Sequence, residues 1–463
     1  MVTQVLDALP PRPNLRSLPV KVAIVGAGIS GLTAVYLLRA DHQITLFEAG
    51  AHLGGHTQTV DVTFDGEQHA IDTGFIVFNR RTYPRFNALL DELGVKSRPT
   101  SMGFSVRCDR TGLEYCASSL AGLFCQKRNL FRPRFYQMLR DIWRFNRDAQ
   151  RRFATNRQTE SLPELTVAEF LSRGRYSREF AEHYLLPMGS AIWSCPAEAF
   201  AHFPVNFIIE FFHNHGLLSL RDRPTWRVVE GGSRNYVRAM AAKFGPAVDV
   251  RLRTPVQQVR RRAEFVEITT RNAGMERFDH VIFACHADQA LRMLDDPTRT
   301  ERDLLSAFRY ERSTALLHVD TSILPKNRQA WASWNYRVTG HCSRRSTVTY
   351  CMNLLQHLRS EHVFNVTLNG EALIDPRKVL GRYAFEHPVF TLRRKAAQSR
   401  WGELHAARRT SYCGAYWGNG FHEDGVASAM AVCQALSSRT EDDPTLSSPG
   451  TAVLRAANAV AAT

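Results

Sequence analysis

"KVAIVGAGISGLTAVYLLRADHQITLFEA", residues Lys21 to Ala49, reads as strand, glycine turn, helix and second strand. Val22 to Val25 form the short apolar run of a strand buried on both faces, and Leu32, Val35, Tyr36 and Leu38 supply one face of a helix. Between them stands Gly26-Ala27-Gly28-Ile29-Ser30-Gly31, a GxGxxG turn. Its first glycine permits the tight turn, its second lets backbone approach a pyrophosphate, and its third lets helix pack on strand, so the helix N-terminus faces the phosphates. Glu48 ends the second strand, with Ala49 behind it, where an acid accepts hydrogen bonds from ribose hydroxyls. GxGxxG alone is weak evidence; with strand, helix and terminal acid in place it reads as a dinucleotide site.

Working outward, three features select FAD. Gly54-Gly55 let the chain pass close to a bound cofactor, which brings His56 and Thr57 beside it. "IDTGF", Ile71 to Phe75, offers a second approach at Gly74 and Phe75. Finally "VEGGSRNYVRAMAAKFG", "VDVRLRTPVQQVRRR" and "FDHVIFACHADQAL" supply a helix, a strand pair that carries Val256 into the cofactor-binding set, and a return strand over Val281 to Ala284. The expected fold is α/β: a Rossmann-like FAD-binding domain (20–79, 225–293, 406–437) interrupted by an α+β substrate domain. The first insertion (80–224) reads as mainly helical, and the second (294–405) as strand-rich, with "TALLHVD" and "STVTYCMNLL" alternating toward a sheet. Residues 1–19 and 438–463 read as disordered tails.

Only one dinucleotide fingerprint is present and no CxxC pair, so electrons are expected from an organic substrate, leaving to oxygen, a quinone or a carrier protein. That is the logic of an oxidase or desaturase; a monooxygenase stays open. The nine cysteines are scattered without zinc-type spacing and read as reduced thiols in a cytoplasmic protein, with no metal site expected. The N-terminus has no apolar run behind a basic region, and no stretch reaches the roughly 20 apolar residues of a membrane span.

The formal net charge is +15, and only seven of the 59 basic residues are Lys. Lys127 to Arg157 holds ten Lys or Arg against Asp141 and Asp148. After Pro133, Phe135, Leu139, Ile142, Phe145 and Ala149 share one helical face, while Arg140, Arg144, Arg147, Arg151 and Arg152 lie mostly elsewhere. A solvated helix face and an anionic membrane surface both fit this pattern. No nucleic-acid module accompanies the charge, and nucleic acid is not expected as a partner.

The stretches "LGGHTQTV", "GFIVFNRRTYP", "GLFCQKRNL", "GSAIWSCPAEA", "HADQALRML", "WASWNY" and "CGAYWGNGFHEDG" resemble the flavin amine oxidase superfamily, which includes phytoene desaturases and protoporphyrinogen oxidases. Within it the chain is most similar to the flavin-containing N-terminal part of plant cyclopropane fatty acid synthases and their stand-alone bacterial relatives. The resemblance runs from about Lys21 to about Leu436. It implies that "GFHEDGVASAMAVCQAL" is the last helix of the FAD domain, with Gly420-Phe421 entering the turn and the helix beginning at Val426. Its N-terminus then faces the flavin, placing Phe421, His422, Gly425 and Val426 at the cofactor. His422, Glu423 and Asp424 are three consecutive side chains that diverge, which argues against a metal; Asp424 reads as a cap or first-turn acid.

Asn79, Tyr83, Trp193 and Tyr416 are the catalytic candidates that the resemblance implies, none of them a convincing general base; His422 is a further candidate that could reach the flavin edge, and it also reads as a hydrogen-bonded structural histidine. Trp331 and Trp334 read equally as channel lining and as core. Gly414-Ala415-Tyr416 stands where many members carry an acid against the ribityl chain, and Cys413 is not at the known attachment position, so non-covalent FAD is expected. The resemblance implies a dehydrogenase or desaturase of modified fatty acyl chains or phospholipids. It would work beside a cyclopropane-synthase-like methyltransferase, in the cytoplasm or peripherally at the inner membrane surface. Two alternatives stay open: a flavin amine oxidase, and a non-catalytic FAD-containing partner of a lipid methyltransferase.

Overall fold

Strand β1 (Lys21–Val25) is apolar on both faces, and it lies at the centre of a five-stranded parallel sheet. Its neighbours are β2 (Gln43–Phe47) and β4 (His280–Phe283); β3 (Val248–Arg251) lies beyond β2 and β5 (Thr410–Tyr412) beyond β4, giving the order β3-β2-β1-β4-β5. Val22 pairs with Ile44 on one side and His280 on the other. Helix α1 (Ile29–Leu38) covers this sheet, with Leu32, Ala34 and Val35 fully buried. Burying a Val, Leu or Ile side chain contributes about 1.5–3 kcal/mol, so this small sheet is held mainly by what packs on it. The computed structural model describes residues 20–158, 164–193, 195–219, 223–271, 274–339, 347–405 and 407–442.

The sequence pairs Val248–Arg251 with the strand that follows it; in the structure the two belong to different sheets. Val248–Arg251 is the outer strand of the parallel sheet, whereas Val256–Arg261 starts a separate antiparallel sheet with Val266–Thr270 and Gly274–Phe278. Arg253, at φ 52°, turns the chain between them.

A second sheet has seven strands in the order 379–389, 309–318, 365–368, 347–351, 334–338, 104–108, 114–116. The last two strands come from the first insertion, and Phe104–Cys108 pairs in parallel with Trp334–Val338 of the second. The two insertions therefore build one sheet. Against it stands a helical cluster around Phe145, Phe180, Phe200, Phe203 and Phe212, all nearly or fully buried. The long basic helix spans Pro133–Gln158 and buries Phe135, Met138, Phe145 and Ala149.

The C-terminal helix runs His422–Asp442, so it starts four residues before Val426 and continues through residues 438–442 of the expected tail. The early start has a cause. Asp424 Oδ2 accepts the Phe421 backbone N–H at 2.9 Å, the back-bond of a capping box, and this closes the first turn at His422. The expected tails 1–19 and 443–463 lie outside the described residues. Among the described residues, no helix is long and apolar enough to cross a membrane.

Candidate active site

A cavity of about 1080 Å³ opens at the C-terminal ends of β1 and β4, where ligands bind in open parallel sheets. It exceeds the usual volume of a single small-molecule pocket, roughly 300–1,000 Å³, and has two parts. One is a trench along the glycine turn, and the other is an aromatic chamber under the seven-stranded sheet.

The trench is built by backbone. Gly26 N donates to the Phe47 carbonyl at 2.8 Å, and Gly54 N donates to the Ala27 carbonyl at 2.8 Å, which draws the Gly54-Gly55 turn across the start of α1. A Cβ placed on Gly28 meets nothing within 4 Å, so beside this turn the wall is open. Glu48 accepts from Ala27 N at 2.8 Å and Gly50 N at 2.7 Å, and a carboxylate with about four lone-pair sites keeps capacity for ribose hydroxyls. The N-termini of α1 and of the C-terminal helix converge on the trench, and the positive ends of their dipoles favour an anionic occupant. The trench therefore fits a dinucleotide with its pyrophosphate at Gly28 and its ribose at Glu48.

Most cofactor-binding residues read from the sequence line the cavity: Gly26, Ala27, Gly28, Ile29, Ser30, Glu48 and Ala49 from the first unit, and Gly54, Gly55, His56, Gly74, Phe75 and Val256 from the next. Phe421 and His422 join them from the C-terminal helix. Gly31, Thr57, Gly425 and Val426 stand behind the wall. Gly425 lets the C-terminal helix approach α1, since a Cβ there would lie 2.7 Å from Ile29 Cγ2.

His422, Glu423 and Asp424 point to three different partners. His422 Nε2 lies 3.0 Å from both Thr57 Oγ1 and Tyr236 Oη, and its ring stacks on Phe75 with centroids 3.4 Å apart. Glu423 accepts from the backbone of Arg85 (3.2 Å) and Phe86 (2.9 Å), which caps the neighbouring helix Pro84–Glu92. Asp424 closes its own helix, as described above. These acids dock helices. Burial, aided by the nearby His56, holds the His422 pKa well below the ordinary imidazole value.

Of the catalytic candidates, Trp193, Tyr83, Tyr416 and His422 line the cavity and Asn79 does not. Asn79 is fully buried, and its Oδ1 accepts from the Arg81 and Thr82 backbone N–H groups at 2.9 Å each, so it braces a turn. The Tyr416 hydroxyl and the Trp193 indole N–H are buried without a hydrogen-bond partner among the described residues. Trp193 sits among Phe200, Phe203, Phe207, Phe211 and Phe390. Trp334 lines the cavity, whereas the Trp331 indole donates to the Pro325 carbonyl at 2.8 Å outside it. Cys413 is fully buried outside the wall; Cys285 lines it, but burial pushes its thiol up to about 12. Neither thiol is poised for attachment, in keeping with non-covalent FAD.

Sequence reasoning missed a group beside His56. His286 stands three residues past the end of β4, stacks on Tyr310 with centroids 4.1 Å apart, and places Nδ1 3.2 Å from Glu386 Oε2. His56 Nε2 donates to the Glu386 carbonyl at 3.1 Å, and the His387 ring lies 5.5 Å from the His56 ring. The usable signal was position: His286 stands just past the C-terminal end of a strand adjoining β1. Glu386 and His387 belong to strand Val379–Val389, which no local motif connects to the trench.

The sequence pattern of the family described as flavin containing amine oxidoreductase matches residues 29–320. The chain belongs to this family. It is an FAD-dependent oxidoreductase of the amine oxidase family, which sets aside the non-catalytic alternative. Over 77 residues it is 42% identical to the zeta-carotene desaturase of Synechocystis sp. (strain ATCC 27184 / PCC 6803 / Kazusa), a match that spans 16% of this chain and only 15% of that protein. In fold it is similar to the CLA-producing fatty acid isomerase from P. acnes, at 14% identity and TM-score 0.63, covering 91% of this chain and 99% of that one. It is equally similar to cyclohexylamine oxidase from Brevibacterium oxydans IH-35A, at 15% identity and TM-score 0.64, covering 91% of this chain and all of that one.

The buried histidines of this family member make the protein acid-sensitive. Burial lowers the pKa of His56, His215 and His318 to about 4 and of His387 to about 3. An unfolded histidine titrates near pH 6.5, so between that value and about 4 the unfolded chain binds more protons and stability falls as pH falls. Asp72 and Asp424, raised to about 6 by burial, act in the opposite sense, because folding protonates them below pH 6. Four histidines outweigh two carboxyls. The melting temperature is expected to drop on the order of 10 °C between pH 7 and 4.5; calorimetry showing the same Tm at both would contradict this account.

Proposed function

We propose that this FAD-dependent oxidoreductase is a dehydrogenase or desaturase of fatty acyl chains, including methylated or cyclopropanated phospholipid chains, working beside a cyclopropane-synthase-like methyltransferase. The observation that carries the reading is the chamber. Met188, Ile192, Trp193, Phe211, Phe390 and Phe421 make a largely apolar wall that suits a hydrocarbon chain. Among the described residues lining the cavity, the only carboxylates are Glu48 and Glu386. The first is hydrogen-bonded to backbone at the trench and the second is beside His286, so no acid stands in the chamber to hold an ammonium group. A relative named as a desaturase and a structural neighbour named as a fatty acid isomerase are consistent with this reading.

FAD, when bound, supplies the two-electron acceptor for removal of a hydride from the substrate. The chain itself binds the acyl segment, keeps water away from it with aromatic side chains, and presents neutral imidazoles to a departing proton. His215 is one of these: its Nδ1 donates to the Phe211 carbonyl at 2.9 Å, and burial keeps the ring neutral. A second reading, amine oxidation, is favoured by the same aromatic rings, since a ligand cation binds over Trp and Phe faces.

The test is anaerobic mixing of holoenzyme with modified phospholipid, unmodified phospholipid or polyamine while flavin absorbance is followed. Bleaching by modified lipid and not by polyamine is expected. Bleaching by amines alone would replace the lipid reading with the amine one.

A further inference from the structure

The basic segment has an outer face that the cavity chemistry does not use. Phe131 is 85% exposed, Leu120 78% and Trp143 62%, and Leu130 and Tyr136 are exposed beside them. Five of the nine exposed large apolar side chains among the described residues thus fall between positions 120 and 143. Tyr136, Arg140, Trp143, Arg147 and Arg151 recur at helical spacing on the basic helix, opposite its buried Phe135, Met138 and Phe145. The Arg147 guanidinium lies over the Trp143 ring, 5.1 Å from its centroid.

Of the segment's two acids, Asp141 is engaged away from this face and Asp148 reaches it only through Arg147. Asp141 is buried and accepts from Ser177 N at 2.8 Å, and Asp148 accepts from the Tyr176 hydroxyl at 2.9 Å and pairs with Arg147 at 3.1 Å. The basic residues divide likewise. Arg144 turns inward, with Nη2 2.9 Å from the Gly174 carbonyl and 3.4 Å from Asp141, and Arg152 binds Asn206 at 2.7 Å. Lys127, Arg128, Arg134, Arg140 and Arg151 remain exposed; of these Arg134 lies 3.6 Å from Glu179 and Arg128 bonds the Gly112 carbonyl. The outer face is therefore cationic and aromatic together. Exposed rings enter a lipid headgroup boundary, and arginines beside them meet anionic phosphates.

We propose that the turn Lys127–Phe131 and the outer stripe of helix Pro133–Gln158 dock the protein on the surface of an anionic phospholipid bilayer, with Phe131 and Trp143 inserted at the headgroup level. The face is coupled to the active site through the helix: Gln150 Nε2 donates to the Leu218 carbonyl at 3.0 Å, next to Leu217 of the cavity wall. Docking goes beyond the acyl-chain reading and does not depend on turnover.

Flotation of the holoenzyme with vesicles of phosphatidylcholine, with and without phosphatidylglycerol carrying the same acyl chains, tests it, so that headgroup charge is what differs between the two. Binding is expected only with phosphatidylglycerol and weakens as salt rises. Each basic residue near such a surface is worth about fivefold in partitioning, so Arg140→Glu with Arg151→Glu should lower binding by about tenfold or more. Phe131→Ser with Trp143→Ser should also release the protein. All variants should keep wild-type flavin content, since the altered residues are exposed and away from the trench. Absence of wild-type binding to phosphatidylglycerol vesicles, or equal binding by either double variant, overturns the proposal; the first result would turn the face toward a protein partner.

Discussion

Gly28→Val should purify folded and colourless. Gly28 has φ −73° and ψ −176°, an extended conformation that valine adopts readily, and a Cβ there meets no protein atom within 4 Å. The substitution therefore leaves the apoprotein unstrained, and its side chain enters the trench where the pyrophosphate approaches backbone. Charge-assisted hydrogen bonds contribute about 1.5–3 kcal/mol each, so blocking the pyrophosphate's approach to this turn is expected to weaken FAD binding on the order of 100-fold or more, enough to strip it during purification. Circular dichroism should match the wild type while the visible spectrum is flat. A Gly28→Val protein carrying one flavin per chain would show that the pyrophosphate is not at this turn.

Gly31→Val should fail earlier, in folding. A Cβ on Gly31 would lie 1.9 Å from the Gly26 carbonyl oxygen and 3.2 Å from Ala284 Cβ. Neither neighbour can yield: Gly26 sits at φ 106°, where an added Cβ would lie 2.9 Å from the Ala284 oxygen, and Ala284 follows β4 in the sheet. Relief requires moving α1 away from β1, which opens the core around Leu32 and Val35. Overpacking of this kind costs about 1–3 kcal/mol where neighbours adjust, and more against fixed backbone. Expression should give aggregated protein or one melting far below the wild type. Soluble Gly31→Val with an unchanged Tm would refute the helix-on-strand role. The two glycines stand three residues apart, yet one is reserved for the cofactor and the other for the fold.

That difference marks what was legible in the sequence. The nucleotide unit could be read because its signals are local: an apolar run, a glycine spacing and an acid at a strand end fix geometry within some thirty residues. The insertions were read less well, because alternation reports that a strand has a buried face and not which strand lies beside it. Nothing near Phe104 announces its parallel partner Trp334. The same limit applies at the site. Glu423 is a cap for Arg85 and Phe86, and Asn79 braces Thr82, although both look like chemistry in isolation. Phe135, Phe145 and Ala149 were correctly placed on the buried side of the basic helix, yet periodicity could not tell that Arg144 folds back on Asp141 while Arg140 stays outside.

The strand order also sets a timetable for biosynthesis. β1 is made long before its second neighbour β4, which follows after 258 residues, and the edge strand β5 comes only near residue 410. At about 5–20 residues per second, roughly 20–80 s separate the synthesis of β1 from that of β5. Until β4 is made, roughly 13–52 s at that rate, the nascent chain carries β1 with one hydrogen-bonding edge unmatched, an edge open to pairing with another strand, and β4 in turn waits for β5. Flavin loading is correspondingly a late event: a ribosome stalled anywhere before the C-terminal helix leaves a chain that has its glycine turn and no complete trench to put it in.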